Sequence, residues 1–185
     1  KSDYTSMGVI ELGADKNFYL VHAVRDKLNL TERTETLIAL HRHWNDRHAP
    51  VKGVYYERYG KDSDIDHILY VQAEENYRFD IQEIGGSMAK TDRILRLQPQ
   101  LESHRWWLPH HIWYTNWKGE NKDLIEEFLT EEYDCFPVPV HDDMLDMLAR
   151  VDDIDLIWPK PAAKPSKPDR YGMKTSTRSS MGMGA

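Results

Sequence analysis

The spacing of hydrophobic residues along the chain changes repeatedly between a period of two and a period of three to four. Short runs rich in β-branched and aromatic residues predict strands, and apolar residues three or four positions apart predict helices. The predicted strands cover 7–12, 17–24, 51–57, 78–84 and 105–108. The predicted helices begin near Thr31, Asp64 and Ser87 and cover 123–133 and 141–151. This order predicts an α/β fold in which helices flank a mixed sheet whose antiparallel part comes first.

Turn-forming and helix-breaking residues place several boundaries between these elements. The segment 13–17 separates the first two strands and predicts an antiparallel hairpin. Thr31 is the candidate N-cap of the first helix, and Ser87 is the candidate N-cap of the third. Pro99 interrupts the apolar spacing of the third helix, so we expect that helix to kink or end nearby. The aromatic and histidine-rich segment 110–119 predicts no regular structure.

The composition is that of a single folded domain. With 185 residues, of which 40% are hydrophobic, the chain is long enough to bury its own core. The sequence contains no run approaching about 18 consecutive apolar residues, so it predicts no membrane helix. Cys135 is the single cysteine, which excludes a disulfide within the chain and fits a reducing compartment. Because the chain starts without Met or a signal segment, we expect it to be part of a longer protein.

The net charge of −7 is divided unevenly along the chain. Residues 159–185 carry six basic side chains and one acidic side chain, which gives +5 and leaves −12 on residues 1–158. The end of the chain is rich in Pro, Ser, Gly and Met and almost lacks branched aliphatic residues. We therefore expect a disordered basic tail over 159–185 after a folded domain over 1–158. The acidic domain would repel DNA unless cations neutralise its carboxylates locally.

Two places in the sequence concentrate carboxylates that could hold a metal ion. Glu57 ends a predicted strand just before a turn, and ligands of open α/β sheets gather beyond the carboxyl ends of strands. Asp142, Asp143 and Asp146 follow His141 at the start of the last predicted helix, where backbone N–H groups and the helix dipole offset their repulsion. Such hard oxygen donors suit Mg²⁺ or Mn²⁺. The alternatives are a solvated acid at a strand end and an ordinary N-cap with a first-turn acid.

Other polar residues give weaker predictions. His41 and His43 face different sides of a helix, and His110 and His111 are adjacent without a second metal-binding motif, so the sequence predicts no zinc site. The sequence has no phosphate-binding glycine motif, so this chain alone is not expected to hydrolyse ATP. Basic residues near Glu57 or on one helix flank are candidate phosphate contacts, with a solvated charged face as the alternative. They are Arg58, Lys61, Lys90, Arg93 and Arg96.

Three segments share a recognisable order of features. An acid-ended strand precedes a glycine turn, a Gly-Gly and Lys sequence enters a helix, and Phe-Pro is followed by HDDMLD. The segments are VYYERYGKDSDIDHI, IQEIGGSMAKTDRILRLQPQLESHRWWLP and DLIEEFLTEEYDCFPVPVHDDMLDMLAR. Together they resemble the nuclease domain of the large terminase subunit of tailed bacteriophages. The resemblance covers most of residues 1–151 and implies a ribonuclease H-like endonuclease with two Mg²⁺ or Mn²⁺ ions, which cuts concatemeric double-stranded DNA during genome packaging.

The resemblance also implies roles for individual residues. Glu57 matches the second acidic position of the family and Asp143 the third, with Asp142 as the neighbouring acid, so these three are the expected catalytic and metal-binding residues. Asp146 and His141 are expected to support them. The first acid of the family lies on an opening strand that would precede residue 1. We therefore expect the ribonuclease H-like sheet to lack its first strand here, and the chain by itself to be nearly inactive.

The implied partners are double-stranded DNA, an ATPase domain upstream in the same protein, the portal and the small terminase subunit, in the host cytoplasm and away from membranes. Two other functions stay open. One is another ribonuclease H-like nuclease, such as a resolvase or transposase core, which a preference for branched DNA would favour. The other is a catalytically incomplete docking module for the portal or small subunit, which metal-dependent nicking would argue against.

Overall fold

Strands and helices alternate through most of the chain. The computed structural model describes residues 4–47, 50–57, 63–137, 139 and 141–161. Its strands are β1 (Thr5–Leu12), β2 (Phe18–Asp26), β3 (Val54–Glu57), β4 (Ile81–Ile84), β5 (Trp106–Trp107), β6 (Trp113–Thr115) and β7 (Asn121–Asp123). Its helices are α1 (Leu30–Asn45), α2 (Ser63–Glu74), α3 (Lys90–Leu95), α4 (Gln98–Glu102), α5 (Leu124–Glu127) and α6 (Asp143–Ala149). A π-helical segment (Phe128–Tyr133) follows α5, and a 3-10 turn (Arg150–Asp153) follows α6.

The main sheet is mixed and has the order β1-β2-β5. β1 and β2 pair antiparallel from Leu12↔Phe18 to Thr5↔Asp26, with a register shift between Val9 and Ile10. The start of β2 also pairs in parallel with β5, through Phe18↔Trp106. The predicted α/β class, the opening hairpin and the mixed sheet are therefore confirmed.

The remaining strands of the described residues form two small sheets of their own. β3 and β4 pair in parallel, and α2 connects them in the chain, as expected for a strand-helix-strand crossover. β6 and β7 form an antiparallel hairpin, in which β6 lies within the segment 110–119 that predicted no regular structure and β7 follows that segment. A backbone hydrogen bond from the N–H of Asn116 to the carbonyl oxygen of Glu120 closes its turn. Gly119 in this turn adopts a φ of 82°, which a residue without Cβ tolerates. The prediction of one mixed sheet that includes strands 51–57 and 78–84 is therefore wrong, since β3 and β4 form a sheet separate from β1-β2-β5 among the described residues.

Two helix boundaries differ from the predictions. The N-cap of α1 is Asn29 and not Thr31, because Asn29 and Glu32 form a reciprocal capping box. The N-cap of α3 is Ala89 and not Ser87, and its side chain makes no capping hydrogen bond. The predicted interruption near Pro99 is confirmed, since α3 ends at Leu95 and α4 restarts the helix with Pro99 in its first turn.

The core lies where α6 packs among β1, α3 and the π-helical segment. Its largest cluster of buried apolar side chains comes from β2, α3, α5, the π-helical segment and α6, with Ile112 and Leu97 from the connecting segments. Met144, Leu148 and Ala149 of α6 are completely or almost completely buried. Each buried Leu or Met contributes about 1.5–3 kcal/mol relative to an exposed one. The packing therefore fixes α6, and with it the acidic residues at its start.

One prediction falls largely outside this description. Of the predicted basic tail over 159–185, only residues 159–161 are described. Within the described residues, no helix combines the length and the apolar character needed to cross a lipid bilayer.

Candidate functional site

The N-terminus of α6 is capped by a distant carboxylate. The π-helical segment carries Glu132, whose side chain is 0% exposed, to the first turn of α6. Its Oε2 accepts hydrogen bonds from the backbone N–H of Met144 at 2.8 Å and of Leu145 at 3.0 Å. Asp142 occupies the N-cap position of α6, but its side chain makes no capping hydrogen bond. The interpretation of Asp142 as an ordinary capping side chain therefore does not describe this helix.

The carboxylates of Asp142 and Asp143 face a lysine instead. Lys90 Nζ lies 2.7 Å from Asp142 Oδ1, 3.8 Å from Asp143 Oδ1 and 4.0 Å from Asp146 Oδ2. Burial alone would lower the pKa of Lys90, but the hydrogen bond to Asp142 and the nearby charges of Asp143 and Asp146 outweigh it and raise the pKa. Asp142 and Asp143 remain 38% and 24% exposed. The site is thus a partly open carboxylate cluster with one ammonium group at its centre.

A buried arginine holds the same cluster from the sheet side. Arg25 of β2 places Nε 3.3 Å from Glu132 Oε1 and 3.8 Å from Asp143 Oδ2. Its guanidinium also lies 4.5 Å from the centre of the Tyr4 ring, and that ring meets the His141 ring edge to face at 5.0 Å. Burial raises the pKa of Glu132, although the N–H groups and Arg25 oppose this shift. His141 therefore packs beside the cluster through Tyr4.

Asp146 makes a structural ion pair with Arg93. The two side chains form hydrogen bonds of 2.6 Å and 2.8 Å, and both are almost fully buried. The expectation that Arg93 contacts phosphate from an exposed helix flank is therefore corrected, because its guanidinium is directed inward to Asp146 and the Met88 carbonyl oxygen. Asp146 therefore serves here in a buried ion pair, and its role in supporting a metal site stays a prediction.

The other predicted phosphate contacts have different positions. Lys90 belongs to the carboxylate cluster, and its side chain is 38% exposed. Arg96 remains partly exposed and pairs with Asp153 at 2.6 Å. Arg58 and Lys61 lie outside the described residues. Of these predicted contacts, the described residues place Lys90 at the cluster and Arg96 beyond the other end of α6.

Glu57 lies at the end of β3 and contacts the other end of α6. Its carboxylate forms an ion pair with Arg150, which follows the last residue of α6. Arg150 is seven residues after Asp143, and seven helical residues advance about 10 Å along the axis. Among the described residues, no group of three or more His, Cys, Asp or Glu side chains is placed to hold a metal ion. The structure thus brings Asp142, Asp143 and Asp146 together and joins Glu57 to a different part of the same helix.

Sequence reasoning missed Arg25 and Glu132, although each carried a signal. Arg25 is two residues after the buried Ala23 on β2, so it occupies an inward-facing strand position. Glu132 is four residues after the buried Phe128, so it occupies the inward face of its helix. A charged residue at such a position requires an opposite charge or hydrogen bonds nearby. Arg25 and Glu132 supply this opposite charge to each other.

No protein-family model matches the chain, and no curated protein matches it.

Proposed function

We propose that this chain is the nuclease domain of a phage large terminase subunit, with a ribonuclease H-like fold, and that it cuts concatemeric double-stranded DNA in a metal-dependent reaction. The resemblance of its three segments to that family motivates the proposal. The observation that supports it best is the pair of partly exposed carboxylates of Asp142 and Asp143. Neither caps α6, because Glu132 accepts the hydrogen bonds of the backbone N–H groups in its first turn.

The chemical type of this cluster suits divalent metal ions. Carboxylate oxygens are the donors that Mg²⁺ and Mn²⁺ prefer, and the ammonium group of Lys90 already lies near three carboxylates. A cation at this place would compete with Lys90 for Asp142 and Asp143. When bound, two ions supply an activated water and stabilise the charge that develops on the phosphate.

Glu57 is the part of the proposed site that fits least directly. Its carboxylate contacts Arg150 at the other end of α6, so the proposal requires Glu57 to leave this partner and approach Asp142 and Asp143. Arg150 would keep a second partner, because its Nη1 also hydrogen-bonds Asp153 at 2.9 Å. The proposed task of Glu57 is thus to complete a carboxylate set that begins with Asp142 and Asp143, and its substitution tests the whole assignment.

The remaining residues have supporting tasks in this proposal. Arg25 and Glu132 hold the start of α6, and the buried pair of Arg93 with Asp146 holds α3 against α6. Arg96 is a partly exposed cation that could contact the DNA backbone without reading its sequence. Weak base preference and a strong dependence on salt are therefore expected.

The deciding experiment compares Glu57→Gln and Asp143→Asn with the parent in the full-length protein that contains this chain. Single-turnover cleavage of plasmid DNA is measured across a Mn²⁺ titration. Each substitution removes one negative charge at nearly constant size, so we expect cleavage to fall at least roughly a hundredfold, or about 2.7 kcal/mol. Thermal melting should change little, because the amide oxygen introduced by Glu57→Gln can still accept a hydrogen bond from Arg150.

The matched control is Asp92→Asn, which changes an exposed acid in the first turn of α3. It should cut like the parent. The proposal fails for a residue whose variant cuts within about threefold of the parent at every metal concentration, a difference of less than about 1 kcal/mol. A strong preference for branched over linear DNA would indicate a resolvase-type nuclease instead.

A further inference from the structure

A second group of polar side chains lies at the β6–β7 hairpin and shares no residue with the carboxylate cluster. It includes His110 and His111, for which the sequence alone predicted no zinc site. Asp123 ends β7, caps α5, and is only 6% exposed. Its Oδ1 accepts hydrogen bonds from the backbone N–H of Ile112 at 3.0 Å and of Ile125 at 3.1 Å. Its Oδ2 lies 2.6 Å from His111 Nδ1. The carboxylate is thus fixed by the backbone on one side and by an imidazole on the other.

This contact determines which nitrogen of His111 is available. Because Oδ2 accepts a hydrogen bond, Nδ1 of His111 carries the hydrogen, and in the neutral ring Nε2 keeps its lone pair. His110 Nδ1 lies 2.7 Å from that Nε2, so two ring nitrogens converge and share one proton. A buried carboxylate that orients a histidine in this way is the usual outer partner of a metal-binding imidazole.

The surroundings hold the rings and leave their outer side open. The Trp113 ring stacks on the His111 ring at a centroid distance of 5.5 Å, and the intervening Ile112 is buried. The side chain of His111 is nevertheless 47% exposed, and His110 is also exposed. Water or a further ligand can therefore reach the converging nitrogens.

We propose that His110 Nδ1 and His111 Nε2 bind a Zn²⁺ ion, with Asp123 as the carboxylate that orients His111. The ion replaces the proton shared between the two rings, and this proton passes to solvent. Imidazole nitrogen suits Zn²⁺ better than Mg²⁺, so this site is chemically distinct from the carboxylate cluster. The protein supplies two ligands here, since Asp123 lies on the far side of the His111 ring, and water completes the coordination. This proposal does not depend on the proposed nuclease function.

The test is a calorimetric titration of the untagged chain with Zn²⁺ in excess Mg²⁺, which occupies sites that prefer hard oxygen donors. Co²⁺ replaces Zn²⁺ in a parallel titration, where its visible absorption reports nitrogen ligation. We expect His110→Ala and His111→Ala each to weaken Zn²⁺ binding at least about tenfold. His43→Ala removes an exposed histidine of α1 and should leave the affinity unchanged. His110→Ala changes an exposed side chain, so its effect can be measured without loss of the fold.

The Asp123→Asn variant keeps both histidine ligands and changes only how the His111 ring is held. Asn retains the capping of α5, but its NH₂ group can donate to His111 Nδ1 and so favours the ring form with hydrogen on Nε2. We expect Zn²⁺ binding to weaken about 10- to 100-fold. Long-range ¹H–¹⁵N spectra of the histidine rings should show hydrogen on Nδ1 of His111 in the parent and on Nε2 in the variant.

Two results from the site variants would overturn the proposal, and the control variant can give a third. One is a parent chain that binds Zn²⁺ no more tightly than His110→Ala. The other is an Asp123→Asn variant that reverses the ring form of His111 but retains the parent affinity, because the carboxylate would then have no part in metal binding. Equal weakening by His43→Ala would likewise show that the zinc binds to surface histidines without regard to this geometry.

Discussion

The guanidinium of Arg93 holds both carboxylate oxygens of Asp146 in a pair that is shielded from water. Nε lies 2.6 Å from Oδ1 and Nη2 lies 2.8 Å from Oδ2, and the two side chains are 6% and 7% exposed. Arg93 belongs to α3 and Asp146 to α6, so the pair joins the helix that carries Lys90 to the helix that begins at Asp143. The geometry of the carboxylate cluster therefore depends on a contact that is itself hidden from any substrate.

Removing one partner of this pair is expected to destabilise the protein strongly. Asp146→Ala leaves a buried guanidinium without its counter-charge, and the free energy of unfolding should fall by about 3–5 kcal/mol. Urea unfolding followed by circular dichroism measures the change. Asp92→Ala, on the exposed side of α3, should stay within about 0.5 kcal/mol of the parent. A loss below about 1 kcal/mol for Asp146→Ala would mean that Arg93 readily finds water or another acceptor.

Glu132 is expected to be equally important for stability, although it belongs to no predicted site. Glu132→Ala removes the acceptor for the N–H groups of Met144 and Leu145 and a counter-charge of the buried Arg25. Each buried group left without a partner costs about 1–3 kcal/mol, so we expect a total loss of about 3 kcal/mol or more. Glu132→Gln should lose less, because its amide oxygen can still accept from the helix.

The control for this change is Glu126→Ala, which alters an exposed acid of α5. Hydrogen exchange of the first turn of α6 gives a second measurement. It should accelerate in Glu132→Ala and stay unchanged in Glu126→Ala. Equal protection of that turn in both variants would show that Glu132 does not serve as its cap.

Asp153 is expected to make part of the stability dependent on acid pH. Burial would raise the pKa of its carboxyl, but hydrogen bonds from Arg96 and Arg150 outweigh burial and lower the pKa below its usual value. A carboxyl whose pKa is lower in the folded state stabilises the protein above its unfolded pKa of about 4. That contribution is lost as the pH falls through the folded pKa.

The measurement compares the free energy of unfolding of Asp153→Asn and the parent between about pH 2 and pH 6. The parent should be more stable at the upper end of this range, and the difference should shrink as the pH falls below about 4. A difference that stays constant over the whole range would show that the ionised carboxylate is not what stabilises the fold.

Several elements could be predicted from the sequence because their causes are local. The hairpin of β1 and β2 follows from two apolar runs around turn residues, and the break near Pro99 follows from a residue that cannot donate a backbone hydrogen bond. The concentration of acids from Asp142 to Asp146 is visible in the sequence itself. These features depend on neighbours within a few positions, so periodicity and turn chemistry reveal them.

Only the tertiary structure decided which side chains from these elements contact one another. Glu132 caps a helix that begins eleven residues later, and Asp123 orients a histidine twelve residues earlier, so neither pairing follows from local spacing. The inward direction of Arg93 depends on Asp146, which is 53 residues away. A charged side chain can satisfy its hydrogen bonds in water or in a buried pair, and the chain pattern alone does not distinguish the two. Long-range packing makes that choice, because it brings the partner charge and excludes the water.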